Sequence, residues 1–446
     1  MSQNNPAYLA GTPDLAGVGV THAQLEQQLV EHYSFDALSL PADPLIPHPA
    51  VSQRASSQPL VVDPGAEKSS KRSRLNSFPW LELFCLIAAG GGLSYFAIFI
   101  AAEESVASTI GAVIAALVPM AIVVIVMVWL DRWAPKPWWL LVVAFLWGAG
   151  IASICALGLN SFSSKVLQSV DIGPTPFQSF GIVATIVAPL VEESLKALGV
   201  IIIMLARRRA VKSPLDGVVI GGILAAGFAF TENVLYFARF YEELPLVFFM
   251  RAMLGPFGHT VYTSIFGLAL GMALTRIPSV KTRVILTVSG LASAVCLHAA
   301  WNGLATYSAT LFVVSYVFFW GPMFITWLVI NLVVSVRQRN AIENGLQAYI
   351  AAGWIDEREA QMLCSLSGRR RDRRSARTIS PLARKAVSAF QQACTVLALN
   401  YVASSHRGLS DTISQENQEA VKKLLRARAD FASASSQVAA FRMGRA

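Results

Sequence analysis

Two adjacent glutamates and a lysine, Glu192, Glu193 and Lys196, sit inside the otherwise apolar stretch APLVEESLKALGV. Three further apolar stretches carry polar groups of a related kind: Glu232 and Asn233 in GFAFTEN, His259 in GPFGHTVYT, and His298 and Asn302 in LHAAWNG. A carboxylate in an apolar pocket can take a proton from water as a general base. Imidazoles can orient that water, ligate a metal ion as neutral rings, or donate to a developing oxyanion, and an asparagine amide can also donate. The set suits hydrolysis by activated water. No nucleophilic serine or cysteine accompanies it, which disfavours a covalent route.

Spacing adds detail. Glu192 lies four residues and Glu193 three residues before Lys196, so on a helix the lysine can neutralise either carboxylate. The other then turns about 100° away, toward a site. His298 and Asn302 are four apart and share a face. Pro189 removes one helical hydrogen bond and is placed to kink the segment.

The elements that must position these groups are membrane helices. Of 446 residues, 54% are hydrophobic and only 14% charged, and the apolar excess falls into long blocks near the ~20 residues that cross a bilayer. Eight spans are expected, at 78–101, 107–130, 138–159, 178–205, 216–238, 245–274, 284–305 and 310–336. The fold class is an all-α, polytopic membrane bundle. Every strongly basic loop (KSSKRSR, DRWAPK, ARRRAVK, RIPSVKTR, VRQRN) falls on one side of that count, which predicts two cytoplasmic termini. The formal charge of +9 is explained by these loops and the C-terminal tail, and no nucleic-acid partner is expected. The first span is expected to direct insertion, since no cleavable leader precedes it.

Residues 1–75, rich in Ser, Pro, Ala and Gln, read as a disordered cytoplasmic tail with a short helix near HAQLEQQLVEHY. The core is expected at 76–336, with the chemical motifs in 188–302. Residues 337–446 read as a cytoplasmic helical basic region, with helices near 354–366, 380–402 and 414–440 and a solvated linker, GRRRDRRSAR, at 368–377. Asp216 is expected to cap the fifth span, its glycines to allow close packing, and Trp133, Trp138 and Trp139 to anchor at the membrane interface.

An ionisable group within a span costs about 2.5–3.5 kcal/mol, so a cluster needs a use. Counting from the basic loops at 1.5 Å per residue puts Glu192 and His298 at a depth of ~21 Å and Glu232 and His259 at ~24 Å. Four helices thus bring polar groups to one layer. A proton-coupled transporter would use the same groups as relays, and a non-catalytic scaffold would bind a membrane partner in the same cleft. The sequence shows no repeat or pair of broken helices of the kind transporters carry.

These motifs, E-E-x-x-K at 192–196, F-A-x-x-E-N at 228–233, His259, and H-x-x-W-N at 298–302, resemble those of the PrsW family of intramembrane proteases. That family sits in a wider group with the CAAX prenyl endopeptidases and bacteriocin-processing proteins. The resemblance covers 178–305. It implies that Glu192 is the water-activating base, that Glu193 is held by Lys196, and that His298 and Asn302 match the element the group uses around the oxyanion. Asn233 and Trp301 fall in the same motifs as supporting positions. Where CAAX endopeptidases offer a histidine, this chain has Glu232. The choice between a Glu/His hydrolase and a metalloenzyme, with Glu232, His259 and His298 holding zinc or another divalent ion, therefore stays open. The implied partner is a membrane-anchored protein substrate in the cell membrane, such as an anti-sigma factor, cut near the outer face.

Overall fold

The computed structural model describes residues 80–169, 176–407 and 411–443. The tail at 1–75, with the helix expected at HAQLEQQLVEHY, lies outside the described residues. Within them the chain is helical and contains no strand. In order come α1 (Trp80–Glu103), α2 (Val106–Leu130), α3 (Trp138–Ser169) and α4 (Ala188–Ala206), the last preceded by a helical run from Pro176. Then come α5 (Pro214–Arg239), α6 (Gly258–Thr275), α7 (Val280–Tyr307) and α8 (Gly321–Ala351).

Among the described residues, seven segments are long and apolar enough to cross a membrane, and α4 is not one of them. Its three ionisable residues set it apart by composition, although it is a continuous helix. The third span, expected to end at 159, continues to Ser169. That extension places Asn160 on a helix, where hydropathy alone predicts a loop.

α5 is the centre of the bundle, packed against α2, α3 and α6. It is buried nearly all round, as a helix hydrophobic on every side should be. A methyl group at Gly217 would overlap the carbonyl oxygen of Gly267 in α6, and one at Gly227 would overlap that of Phe145 in α3. Glycine is what allows both backbone contacts. α1 and α7 bury little of their apolar surface and face outward.

Four wide turns of the i→i−5 type interrupt these helices, at Trp147–Ala152, Val183–Val187, Phe249–Leu254 and Tyr316–Trp320. Such turns shift the helical phase and free carbonyls for side-chain donors. Thr231 of α5 uses one of them, donating to Ala149 O at 2.7 Å.

Among the described residues, the loops DRWAPK, ARRRAVK and RIPSVKTR contact the C-terminal region formed by α9 (Glu357–Leu363), α10 (Leu366–Ile379), α11 (Pro381–Arg407) and α12 (Asp411–Met443). Arg209 pairs with Glu419, Lys212 with Glu416, and Arg276 with His406. α8 runs without a break from the membrane segment into this region, and its Gln338 donates to Ser213 at 2.8 Å. The expected linker at 368–377 is instead most of α10. Arg369, Asp372 and Ala376 recur at helical spacing on its buried face, while Arg370, Arg371, Arg374 and Arg377 point outward. Arginine is a good helix former, and Ser365 caps the start by accepting from the Gly368 N–H. Trp133 is not an interfacial anchor. It is buried in the C-terminal core, where its carbonyl accepts from Arg369 and its ring lies under the guanidinium. Trp138 remains exposed, as an anchor should be. The cap of α5 is Ser213, not Asp216. Asp216 stands three residues in, because Pro214 supplies the first turn, and its carboxylate reaches back to the Ser213 N–H at 2.8 Å.

Candidate active site

The site begins with a backbone defect. In the wide turn before α4 the Ala188 N–H donates to Val183 O, five residues back. The next amide in that register belongs to residue 189, which is proline and has no N–H. Ala184 O is left for another donor, and Asn302 of α7 supplies it at 2.9 Å. Proline on one helix and asparagine on the next thus fasten α4 to α7.

The second amide hydrogen of Asn302 faces His298 Nε2 at 3.3 Å. Because that amide nitrogen is a donor, Nε2 must accept, and the ring proton sits on Nδ1. His298 Nδ1 lies 3.1 Å from Glu193 Oε1 and donates to it. Glu193 also accepts from Lys196 Nζ at 2.8 Å and from Thr263 Oγ1 at 3.0 Å. Three donors hold this buried carboxylate. Tyr262 stacks on the His298 ring at 5.3 Å and fixes its plane.

His259 is set the same way from the other side. Its Nδ1 lies 3.0 Å from Lys196 Nζ, a pure donor, so the proton sits on Nε2 and is donated to Glu232 Oε2 at 2.7 Å. Glu232 is itself held by Arg251 at 2.7 Å, and Arg251 Nε donates to Asn233 Oδ1 at 2.6 Å. Each histidine therefore gives one N–H to a glutamate and accepts at its other nitrogen, His298 from Asn302 and His259 from Lys196, so a metal ion there would displace those donors.

Glu192 differs from every other acid here. Its Oε1 receives a long contact of 3.4 Å from Asn160 Nδ2, and its Oε2 stands 3.6 Å from Lys196. Oε2 is buried and has no hydrogen-bond partner. The Lys196 ammonium lies over the Phe228 ring at 3.7 Å, with two of its three hydrogens committed.

Of the residues singled out in the sequence, Glu192, Glu193, Lys196, Glu232, His259, His298 and Asn302 meet in this one network. Asn233 reaches it through Arg251. Trp301 stands apart, in an aromatic wall with Phe312, Trp320 and Phe324 at ring distances of 5.0, 5.1 and 6.4 Å. Three members escape sequence reasoning. Arg251 is legible as a lone charge in the apolar run FFMRAML, Thr263 resembles a packing hydroxyl, and Asn160 lies beyond the expected end of its span.

Among the described residues, the compact group that could hold a metal ion also differs from the expected one. Ligand atoms of Glu192, His259 and His298 all lie within 4.8 Å of one another, so Glu192 takes the carboxylate place assigned to Glu232. Arg251 explains the exchange, since Glu232 is already its ion-pair partner. One carboxylate and two neutral imidazoles suit a catalytic zinc or similar divalent ion, and the unpartnered Glu192 Oε2 fits a ligand atom. The Lys196 ammonium is the competing cation in that space.

Residues 136–334, under half of the chain, match the family model described as PrsW family intramembrane metalloprotease. This stretch holds every residue of the ionic network. The match and the apolar helices support a membrane protease, hence a hydrolase, with several passes through the bilayer. No curated protein and no solved structure matches the chain.

Proposed function

We propose that this chain is a PrsW-family intramembrane protease that cleaves a peptide bond of a membrane-anchored protein, with Glu192 as the base that activates water. The observation that carries the reading is the inequality of two adjacent glutamates: Glu193 accepts from three donors, whereas Glu192 Oε2 has none. A general base needs a lone pair free to take a proton. Glu193 acts as the hub that orients His298 and Lys196, and Glu232, clamped by Arg251, orients His259. Asn302 positions His298 by donating into Nε2. With both its hydrogens engaged, it is a poorer oxyanion donor than Lys196, whose third hydrogen is uncommitted.

A divalent ion bound by Glu192, His259 and His298 would supply Lewis-acid polarisation of the carbonyl. The same reading takes α4 as an eighth span, the basic loops and both termini as cytoplasmic, and 337–446 as a cytoplasmic helical region. It places the site toward the outer half of the cell membrane, within reach of a regulator such as an anti-sigma factor. The test is quantitative proteomics of membrane-protein fragments in cells producing wild type or Glu192→Gln at equal levels. Fragments present only with wild type support the proposal, and identical fragment sets sink it.

A further inference from the structure

Two side chains in contact in this site each keep a buried acceptor without a donor. One is Glu192 Oε2, and the other is Oδ1 of Asn160, whose own Nδ2 makes the 3.4 Å contact to Glu192 Oε1. Asn160 comes from α3, a helix that contributes nothing else to the ionic network. A buried acceptor without a partner costs about 1–3 kcal/mol, and because these two belong to side chains in contact, one molecule with two hydrogens to give can serve both. Water has that valence, and its two hydrogens match two acceptors.

We infer that Asn160 Oδ1 and Glu192 Oε2 together seat the nucleophilic water, which makes Asn160 a further catalytic residue. The inference rests on the protease reading with Glu192 Oε2 as base and not as metal ligand, and the water seat itself rests on the two unpartnered acceptors. With one O–H directed at each acceptor, the oxygen lone pair of the water points away from both, toward an incoming carbonyl carbon. In the step itself that lone pair forms the new C–O bond while the carbonyl π pair moves onto its oxygen. The proton directed at Glu192 passes to Oε2, and the other stays bonded to oxygen and hydrogen-bonded to Asn160. On collapse the C–N bond breaks, and the proton held by Glu192 goes to the departing amine. The net change is peptide plus water to acid plus amine, with no other reactant.

The division of labour is chemical. An amide oxygen accepts a hydrogen bond without removing the proton, so Asn160 orients and Glu192 deprotonates. An aspartate in its place would compete for the proton, whereas a leucine would leave the water with one anchor.

The test uses the full chain in lipid nanodiscs, imaged at a resolution that shows ordered water, for wild type, Asn160→Leu and Asn160→Ser. The expected result is one water within hydrogen-bond distance of both oxygens in wild type, lost in Asn160→Leu with Glu192 unmoved. Asn160→Ser, which keeps a shorter acceptor, should retain it in part. On a membrane-anchored peptide that wild type cleaves and Glu192→Gln does not, Asn160→Leu should lower kcat about 10²-fold with little change in KM, and Asn160→Ser should recover part of that loss. A wild-type pocket without this water, the same water retained in Asn160→Leu, or a cation ligated by both oxygens overturns the inference. So does a purely KM effect. Water in place without any Glu192-dependent cleavage would support the seat and overturn the protease reading instead.

Discussion

Two buried lysines in this chain carry opposite lessons. Lys136, in the loop between α2 and α3, donates to Ala134 O at 2.6 Å and is ion-paired with Asp216 at 2.6 Å and with Asp131 at 3.3 Å. Burial pulls its pKa down, but the two carboxylates outweigh that and hold it above the ordinary lysine value. The carboxylates are engaged further, accepting from the backbone N–H groups of Lys136, Lys212 and Ser213. Lys196, equally buried, has two hydrogens committed and stands beside a carboxylate oxygen with no donor. In the first cluster the ammonium sits 2.6 Å from the Asp216 carboxylate, whereas 3.6 Å separates Lys196 from Glu192 Oε2, so one is a tight ion pair that holds helices together and the other a loose one.

The contrast breaks most sharply on the base. Glu192→Gln should lower turnover by about 10²–10⁴-fold while the protein still folds, as judged by yield and thermal melting in detergent. Lys136→Met should do the reverse. It leaves Asp131 and Asp216 buried without their counter-charge, which costs about 3–5 kcal/mol, and should appear as lost expression or a collapsed melting temperature. If Lys136→Met folded normally while Glu192→Gln did not, the roles of the two clusters would be reversed.

Lys196→Met sharpens the comparison differently, because it removes the cation that competes with a metal ion. Divalent-ion affinity, measured by calorimetry on the purified protein, should rise about tenfold or more, and His298→Ala in the same background should abolish the gain. The smallest effect is expected far from the membrane. Burial raises the Asp372 carboxyl to about 6, against a small lowering by Arg371. The folded state then binds this proton more tightly than the unfolded one, so this contribution to stability is greatest at low pH and is lost as pH rises from about 4 to 6. Asp372→Asn should flatten that part of the pH–stability curve and raise the melting temperature by a few degrees at neutral pH.

The helical class and the meeting of α4, α5, α6 and α7 were legible because charges in apolar runs are conspicuous and helix rise converts residue count to depth. What could not be read was phase. Whether Glu192 or Glu232 joins the two histidines depends on Arg251, which arrives through a wide turn that no periodicity announces. Asn160 was hidden because α3 outlasts its apolar stretch, and a helix end read from hydropathy marks where the oil stops, not the hydrogen bonds. The basic run at 368–377 misled for the opposite reason: its charge suggested solvent, whereas alternate faces of one helix serve the core and the water.

The wide turn at Val183–Val187 has a last consequence. A turn of this type is the trace that one surplus residue leaves in an α-helix, and it rotates the downstream helix by about 100°, the angular gap between neighbouring residues. Glu192 and Glu193 are separated by that same angle. The local count of residues ahead of Pro189 therefore works as an indexing step that decides which glutamate looks into the pocket, and a one-residue deletion there would re-index the pair without altering a single functional side chain.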